Sequence, residues 1–153
     1  ILIFMVNKHN INTKQILIAS DHAGYPLKEI IKKYLINKRF KVLDLGTNSK
    51  NISVDYPIYA KKLSKKINSK NCGILVCGSG IGMSIASNRF KNVRSALVSS
   101  SRESKLSRQH NNSNVICLGA RLIKKTTALK TVMSFLTTNF EGGRHLKRVK
   151  LLN

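Results

Sequence analysis

Carboxylates are scarce in this chain. Six Asp and Glu stand against 28 Lys and Arg, a formal charge of +22 over 153 residues. An imbalance of that size fits a binder of nucleic acid or of an anionic membrane. Aromatic residues to stack on bases are also few, at 6%, and the lysines are spread over the whole chain. A bias toward Lys, Ile and Asn, plain in "KKYLINKRFK" and "KKLSKKINSKN", accounts for the charge, so no nucleic-acid partner is expected. What the charge does supply is a field that attracts small anions.

Cysteine is the next shortage. Cys72, Cys77 and Cys117 are too few for an extracellular disulfide framework. The Cys72-x4-Cys77 spacing is not a zinc spacing, and no nearby His or Cys pair completes four ligands, so no metal is expected. Long apolar runs are missing as well. "ILIFMV" at residues 1–6 is too short for a signal peptide or a membrane span. The expectation is a soluble, cytoplasmic protein with no membrane partner. A chain of this length makes one domain with a sizeable core. Residues 1–13 read as an N-terminal extension, and residues 14–153 as that single domain.

Within the domain, apolar runs alternate with amphipathic stretches. "QILIAS" (15–20) reads as a strand, and Leu27, Ile30, Ile31, Tyr34 and Leu35 then recur on one helical face. "KVLDLG" (41–46) is a second strand. Asp55 is placed to cap a helix carrying Pro57 in its first turn, with Tyr59, Leu63 and Ile67 inward. Residues 73–77 form a third strand, followed by a glycine turn and a helix to about Phe90. "VRSALV" (93–98) and "NVICLG" (114–119) are strands four and five, with a helix near 102–110 between them. Leu129, Val132, Met133 and Leu136 stripe a long helix, and a basic segment, "EGGRHLKRVKLLN", closes the chain. Strand–helix alternation predicts an α/β fold: a three-layer αβα sandwich on a five-stranded parallel sheet, Rossmann-like.

In such a fold ligands bind beyond the carboxyl ends of the strands. That rule places Asp21-His22, Gly46-Thr47, Cys77 to Gly82, Ser99-Ser100 and Gly119 to Arg121 on one rim. "VCGSGIG" (76–82) draws most interest there. A strand, a glycine turn and a helix leave the backbone N–H groups of residues 78–82 unpaired at the mouth of the loop, a site for negative charge. The turn is not a dinucleotide fingerprint. Its second half fails at Met83 and Ile85, and no acidic residue follows about twenty positions later. A nucleotide cofactor is therefore not expected.

Cys77, at a strand end before a helix N-terminus, is where a thiol pKa falls and a thiolate becomes accessible. Ser79 puts a hydroxyl into the nest, or is a plain turn serine. His110 lies in "SRQHNNSN", with Arg108 and Asn111 for company, and reads equally as a surface histidine or as part of a polar site. Asp21-His22 fits a turn or a site. Arg144 and Arg148, four apart on a C-terminal helix opened by Glu141-Gly142-Gly143, project from one face and can clamp a phosphate. Arg121 directly follows the fifth strand. A thiol, an anion nest, two histidines and three arginines suggest proton transfer on a small phosphorylated substrate.

"SDHAGYPLK", "DLGT", "DYPIYA", "CGSGIGMSIASN", "SRQHNN", "LGAR" and "EGGRHLKRV" together resemble the type B ribose-5-phosphate isomerases, whose wider family includes the galactose-6-phosphate isomerase subunits. The blocks stand in family order over residues 15 to about 150. The resemblance implies an aldose–ketose isomerase with no metal and no cofactor. By it, Cys77 moves the proton between C2 and C1 through an enediol(ate). The backbone at Gly78, Gly80, Ile81 and Gly82, with Ser79, stabilises the oxyanion. His110, helped by Asp21 and Asn111, opens the furanose ring. His22, Arg121, Arg144 and Arg148 hold the phosphate, and Tyr56 lines the sugar site. It also implies a homodimer, or a dimer of dimers, whose sites take residues from both subunits. The sequence departs from the family at Ser79, where threonine is frequent, which keeps the hydroxyl but loses a rotamer-restraining methyl. Galactose 6-phosphate or allose 6-phosphate remains open as the substrate beside ribose 5-phosphate.

Overall fold

The structure, a computed structural model, describes residues 14–152. The expected extension, residues 1–13, lies outside the described residues. Five strands alternate with helices: β1 Gln15–Ser20, α1 Tyr25–Asn37, β2 Val42–Asp44, α2 Tyr56–Ser64, β3 Asn71–Cys77, α3 Ile81–Ser87, β4 Ser95–Leu97, α4 Ser101–Asn111, β5 Val115–Gly119, α5 Lys125–Thr137 and α6 Arg144–Lys150. Every strand pair is parallel, in the order β2-β1-β3-β5-β4. The expected three-layer sandwich is what the chain forms.

Alternation along β3 shows how the two cores arise. Cys72, Ile74 and Val76 enter the core under α1 and α5, with Ile31, Leu35, Val132 and Phe135. Leu75 and Cys77 enter the core under α2 and α3, with Leu63 and Met83. Successive side chains point to opposite faces, so a strand covered on both sides is a continuous apolar run. β3 is buried along its whole length. α4 lies outside α5, tied to it by the Ser104 hydroxyl, which donates to the Thr131 carbonyl at 2.9 Å.

Element lengths depart from the sequence pattern at the sheet's edges. β2 and β4 are three residues each rather than six. Each has a neighbour on one side only, so pairing ends sooner than the apolar run does. α3 stops at Ser87 rather than near Phe90. The Asn88 side chain turns to donate to the Ser95 carbonyl at 2.8 Å and to accept from the Ser95 N–H, which starts β4. Asp55 stands at the N-cap of α2, but its carboxylate accepts no capping bond.

The α1 face packs inward as expected through Leu27, Ile31, Tyr34 and Leu35, but one residue not assigned to it joins them. Lys28, a polar residue inside the Leu27–Ile31–Leu35 stripe, is fully buried. Its ammonium lies 2.7 Å from both Asp44 oxygens and 3.1 Å from Glu29. Lys32 reaches Asp44 and Glu29 at 2.7 Å. Burial works against the charged Asp44, yet the bonds from Lys28, Lys32 and the Gly46 N–H hold its carboxyl below the usual range. The network joins α1 to the end of β2.

Candidate active site

Each carboxyl end of the central strands contributes to one cavity of about 420 Å³, lined by Asp21, His22, Tyr56, Cys77, Ser79, Gly82 and Arg121 among others. The β1 end turns at Asp21, whose Oδ1 accepts the Gly24 N–H at 2.8 Å. That bond fixes the carboxylate at the entry to α1. His22 Nδ1 faces the Val54 backbone, 3.2 Å from its nitrogen and 3.3 Å from its carbonyl oxygen, which anchors the ring at the rim. The two sulfur-bearing strands end differently. Cys72 and Cys117 are buried within their strands, and burial pushes both thiols up to about 12. Cys77 ends its strand at the cavity.

Cys77 is less open than the sequence pattern predicts. It is 4% exposed, and its Sγ accepts the Gly80 N–H at 3.1 Å. That bond fixes the sulfur at the cavity wall. The glycine turn is also not an open nest throughout. Gly80 gives its N–H to Cys77, and Ile81 gives its N–H to the Ser79 hydroxyl at 3.2 Å. The remaining first-turn amides of α3, Gly82 among them, are those a helix start leaves unpaired. Gly80 sits at φ +78°, the left-handed region that favours glycine. At Gly78 a Cβ would stand 2.9 Å from the Arg121 guanidinium, so the bare backbone lets Arg121 lie across the loop. The Tyr56 ring packs in the same way against Gly82.

His110, Asn111, Arg144 and Arg148 lie elsewhere. α4 runs antiparallel to the sheet, so His110 and Asn111 stand beside the start of β5, whereas Cys77 is in register with its last residue, Gly119. Five residues of strand separate those levels by roughly 15 Å. α6 joins the same far edge: the Glu141 N–H donates to the Gln109 carbonyl at 3.1 Å. The His145 and His110 rings stack at 4.3 Å, 11° from parallel. Glu141 Oε2 lies 3.6 Å from His145 Nε2 and 4.0 Å from His110 Nε2. Burial, then His110 and Arg144, holds the pKa of His145 below the ordinary histidine value. Arg144 and Arg148 stay exposed on the same helix. His110, Glu141 and His145 are of metal-ligating type and mutually close, but two rings stacked in parallel do not aim their nitrogens at one point, and the two arginines oppose a cation. Arg108 does not join this group. Its side chain turns inward, with Nε donating to Thr138 O and Nη1 to Asn112 Oδ1 and Ser113 O.

The sequence reading missed Glu141 and His145 as neighbours of His110. The available signal was the i, i+4 pair of His145 and Val149, which sets His145 on the side of the helix that packs inward, about a quarter turn from Arg144 and Arg148.

The Ribose/Galactose Isomerase family matches residues 16–152. The probable ribose-5-phosphate isomerase B of Mycoplasma genitalium is 45% identical over 137 residues, 88% of this chain and 90% of that protein. The ribose 5-phosphate isomerase B structure from Anaplasma phagocytophilum superposes with a TM-score of 0.90 at 45% identity, over 93% of this chain and 98% of that one. The Mycoplasma genitalium enzyme with bound ribulose-5-phosphate superposes with a TM-score of 0.84 at 44% identity, over 92% and 94%. A Rossmann-like sandwich with a thiol at the carboxyl end of its central strand thus has its relatives among sugar-phosphate isomerases. The chain belongs to the Ribose/Galactose Isomerase family.

Proposed function

We propose that this protein interconverts ribose 5-phosphate and ribulose 5-phosphate, using residues 14–153 as one isomerase domain. The observation that carries the reading is Cys77, whose sulfur faces a polar cavity and accepts the Gly80 N–H. The Cys77 thiolate takes the C2 proton of the open-chain aldose. The electron pair moves into the C1–C2 bond and then onto the carbonyl oxygen, giving an enediolate. A proton then passes from the C2 hydroxyl to O1, and as the C2–O bond becomes the carbonyl, the proton that Cys77 holds is returned to C1, giving the ketose. The Ser79 hydroxyl and the unpaired first-turn amides near Gly82 offset the oxyanion's charge. Arg121 and His22 meet the phosphate from the rim, and Tyr56 walls the sugar.

The far-edge residues complete the site from a second copy. In one chain His110 is too far from Cys77 to share a substrate. In a homodimer, His110 with Asn111 and the partner's Asp21 gives a proton to the ring oxygen as the anomeric hydroxyl loses one. Arg144 and Arg148 then close on the phosphate. Exposed Ile81, Ile85, Leu97 and Leu122, the last at 72%, give the rim an apolar border for such pairing. No helix among the described residues is long and apolar enough to cross a membrane, and we place the protein in the cytoplasm. Assaying isomerisation of ribose 5-phosphate, allose 6-phosphate and galactose 6-phosphate tests the reading. Ribose 5-phosphate should turn over fastest, and activity confined to a hexose phosphate would replace the pentose.

A further inference from the structure

A second basic cavity lies at the amino ends of the strands, away from Cys77. It has a volume of about 400 Å³ and is bordered by Lys14 before β1, Asn71 at the start of β3, Arg94 before β4, and Arg108 and Asn112 at the end of α4. Three cationic side chains converge on it. Arg108 is 3% exposed. Burial, with Arg94 close by, pushes its guanidinium down to about 10. Lys14 is likewise lowered, by burial first and by Arg108 and Arg94 among its neighbours.

No acidic side chain answers these charges. The chain has six acidic side chains, and none of them lines this cavity. Asp21 caps its own turn, Glu29 and Asp44 hold Lys28 and Lys32, the Glu103 carboxylate accepts from the Ser99 N–H and hydroxyl, Glu141 faces the histidine pair, and Asp55 heads α2. Helix ends do not balance them either. Asn92 already caps the end of α2, donating to the Ser64 and Ile67 carbonyls at 2.9 and 2.7 Å. The carboxyl termini of α2, α4 and α5, the last through the Thr138 carbonyl that Arg108 reaches, contribute about −0.5 charge each, which leaves roughly one and a half positive charges over. Arg94 gives its Nε to the Asn112 carbonyl at 2.9 Å, and its terminal nitrogens have no partner among the described residues. It also borders the neighbouring cavity, where Arg89 and Lys91 continue the same sign.

We propose that this cavity is a second anion site, separate from catalysis, that binds a phosphorylated small molecule of about pyrophosphate size through Lys14 and Arg94, with Arg108, whose Nε and Nη1 are held by Thr138, Asn112 and Ser113, adding its charge from behind. Buried positive charge without a counter-ion is costly, and a bound phosphoryl group supplies the missing charge. The planar guanidinium of Arg94 offers it paired donors.

Calorimetric titration with inorganic pyrophosphate tests this in Arg121→Met/Arg144→Met/Arg148→Met, which lacks the arginines assigned to substrate. That variant should still bind saturably, at one site per chain. Adding Arg94→Met should weaken binding at least tenfold, and adding Lys14→Met instead should weaken it several-fold. Circular dichroism would check that each variant folds. Lys61→Met/Lys62→Met on exposed α2 removes equal charge elsewhere and should change nothing. Loss of all binding in the starting variant would overturn the proposal. So would equal losses for the α2 pair and for Lys14 with Arg94.

Discussion

The rim around Cys77 and the far edge around His110 are built by different means. At the rim the backbone does the positioning: strand ends, a left-handed glycine and an Asp-closed turn hold Asp21, His22, Cys77 and Ser79. At the far edge, side chains from two helices hold one another through a ring stack and a shared carboxylate. The first kind of site follows from chain order, because each group lies within a few residues of a strand end. The second depends on how α6 docks against α4, which no local pattern encodes.

The difference can be tested by removing one region at a time. The largest effect should come from Cys77→Ala, with kcat falling by about 10²–10⁴-fold, while circular dichroism and phosphate binding stay nearly unchanged. Near-normal turnover would remove the thiol from the chemistry. His110→Ala should also be severely impaired on the cyclic sugar but should recover on an open-chain substrate. If the proposed dimer shares its sites, refolding equal amounts of these two variants together should restore about a quarter of wild-type activity, since half the dimers would be mixed, each with one intact site. No recovery, with mixed dimers demonstrated by differential tags, would mean that each chain works alone.

Smaller effects should follow at the anion clamp. Arg144→Ala or Arg148→Ala should weaken substrate binding by about 1.5–3 kcal/mol if a charge-assisted bond is lost, read as a raised KM that added salt raises further. An unchanged KM in the double variant would return both arginines to solvent. The smallest effect on turnover should come from Asp44→Asn, whose cost is stability. Leaving buried Lys28 without its main partner should cost about 3 kcal/mol in urea unfolding near neutral pH. Because the folded Asp44 carboxyl sits below its ordinary value of 3.8, its contribution is present above that pH and is lost as pH falls through the folded value. The gap between wild type and variant should narrow only in strong acid.

The architecture was legible because apolar runs and stripes alternate, and the rim was legible because parallel sheets put ligands at strand ends. The edge strands were overestimated, since a pattern records burial and not whether a neighbour is present to pair with. Lys28 escaped notice because its partner is sixteen residues away on another element. Its signal was the scarcity of acid, since Asp44 is the one carboxylate in an otherwise apolar strand. The closed state of the Cys77 sulfur was hidden for a related reason: the bond from Gly80 exists only once the turn is formed.

β3 is the central strand, paired on both sides and covered on both faces, whereas α6 is a seven-residue helix that buries His145 and Val149. Amides of β3 therefore exchange with solvent only when the whole domain opens, and those of α6 exchange through local release at much lower free energy. Warming should then detach the arginine-bearing helix before the sheet loosens. Activity would fade below the melting temperature and return on cooling, with the thiol end of the machinery never having come apart.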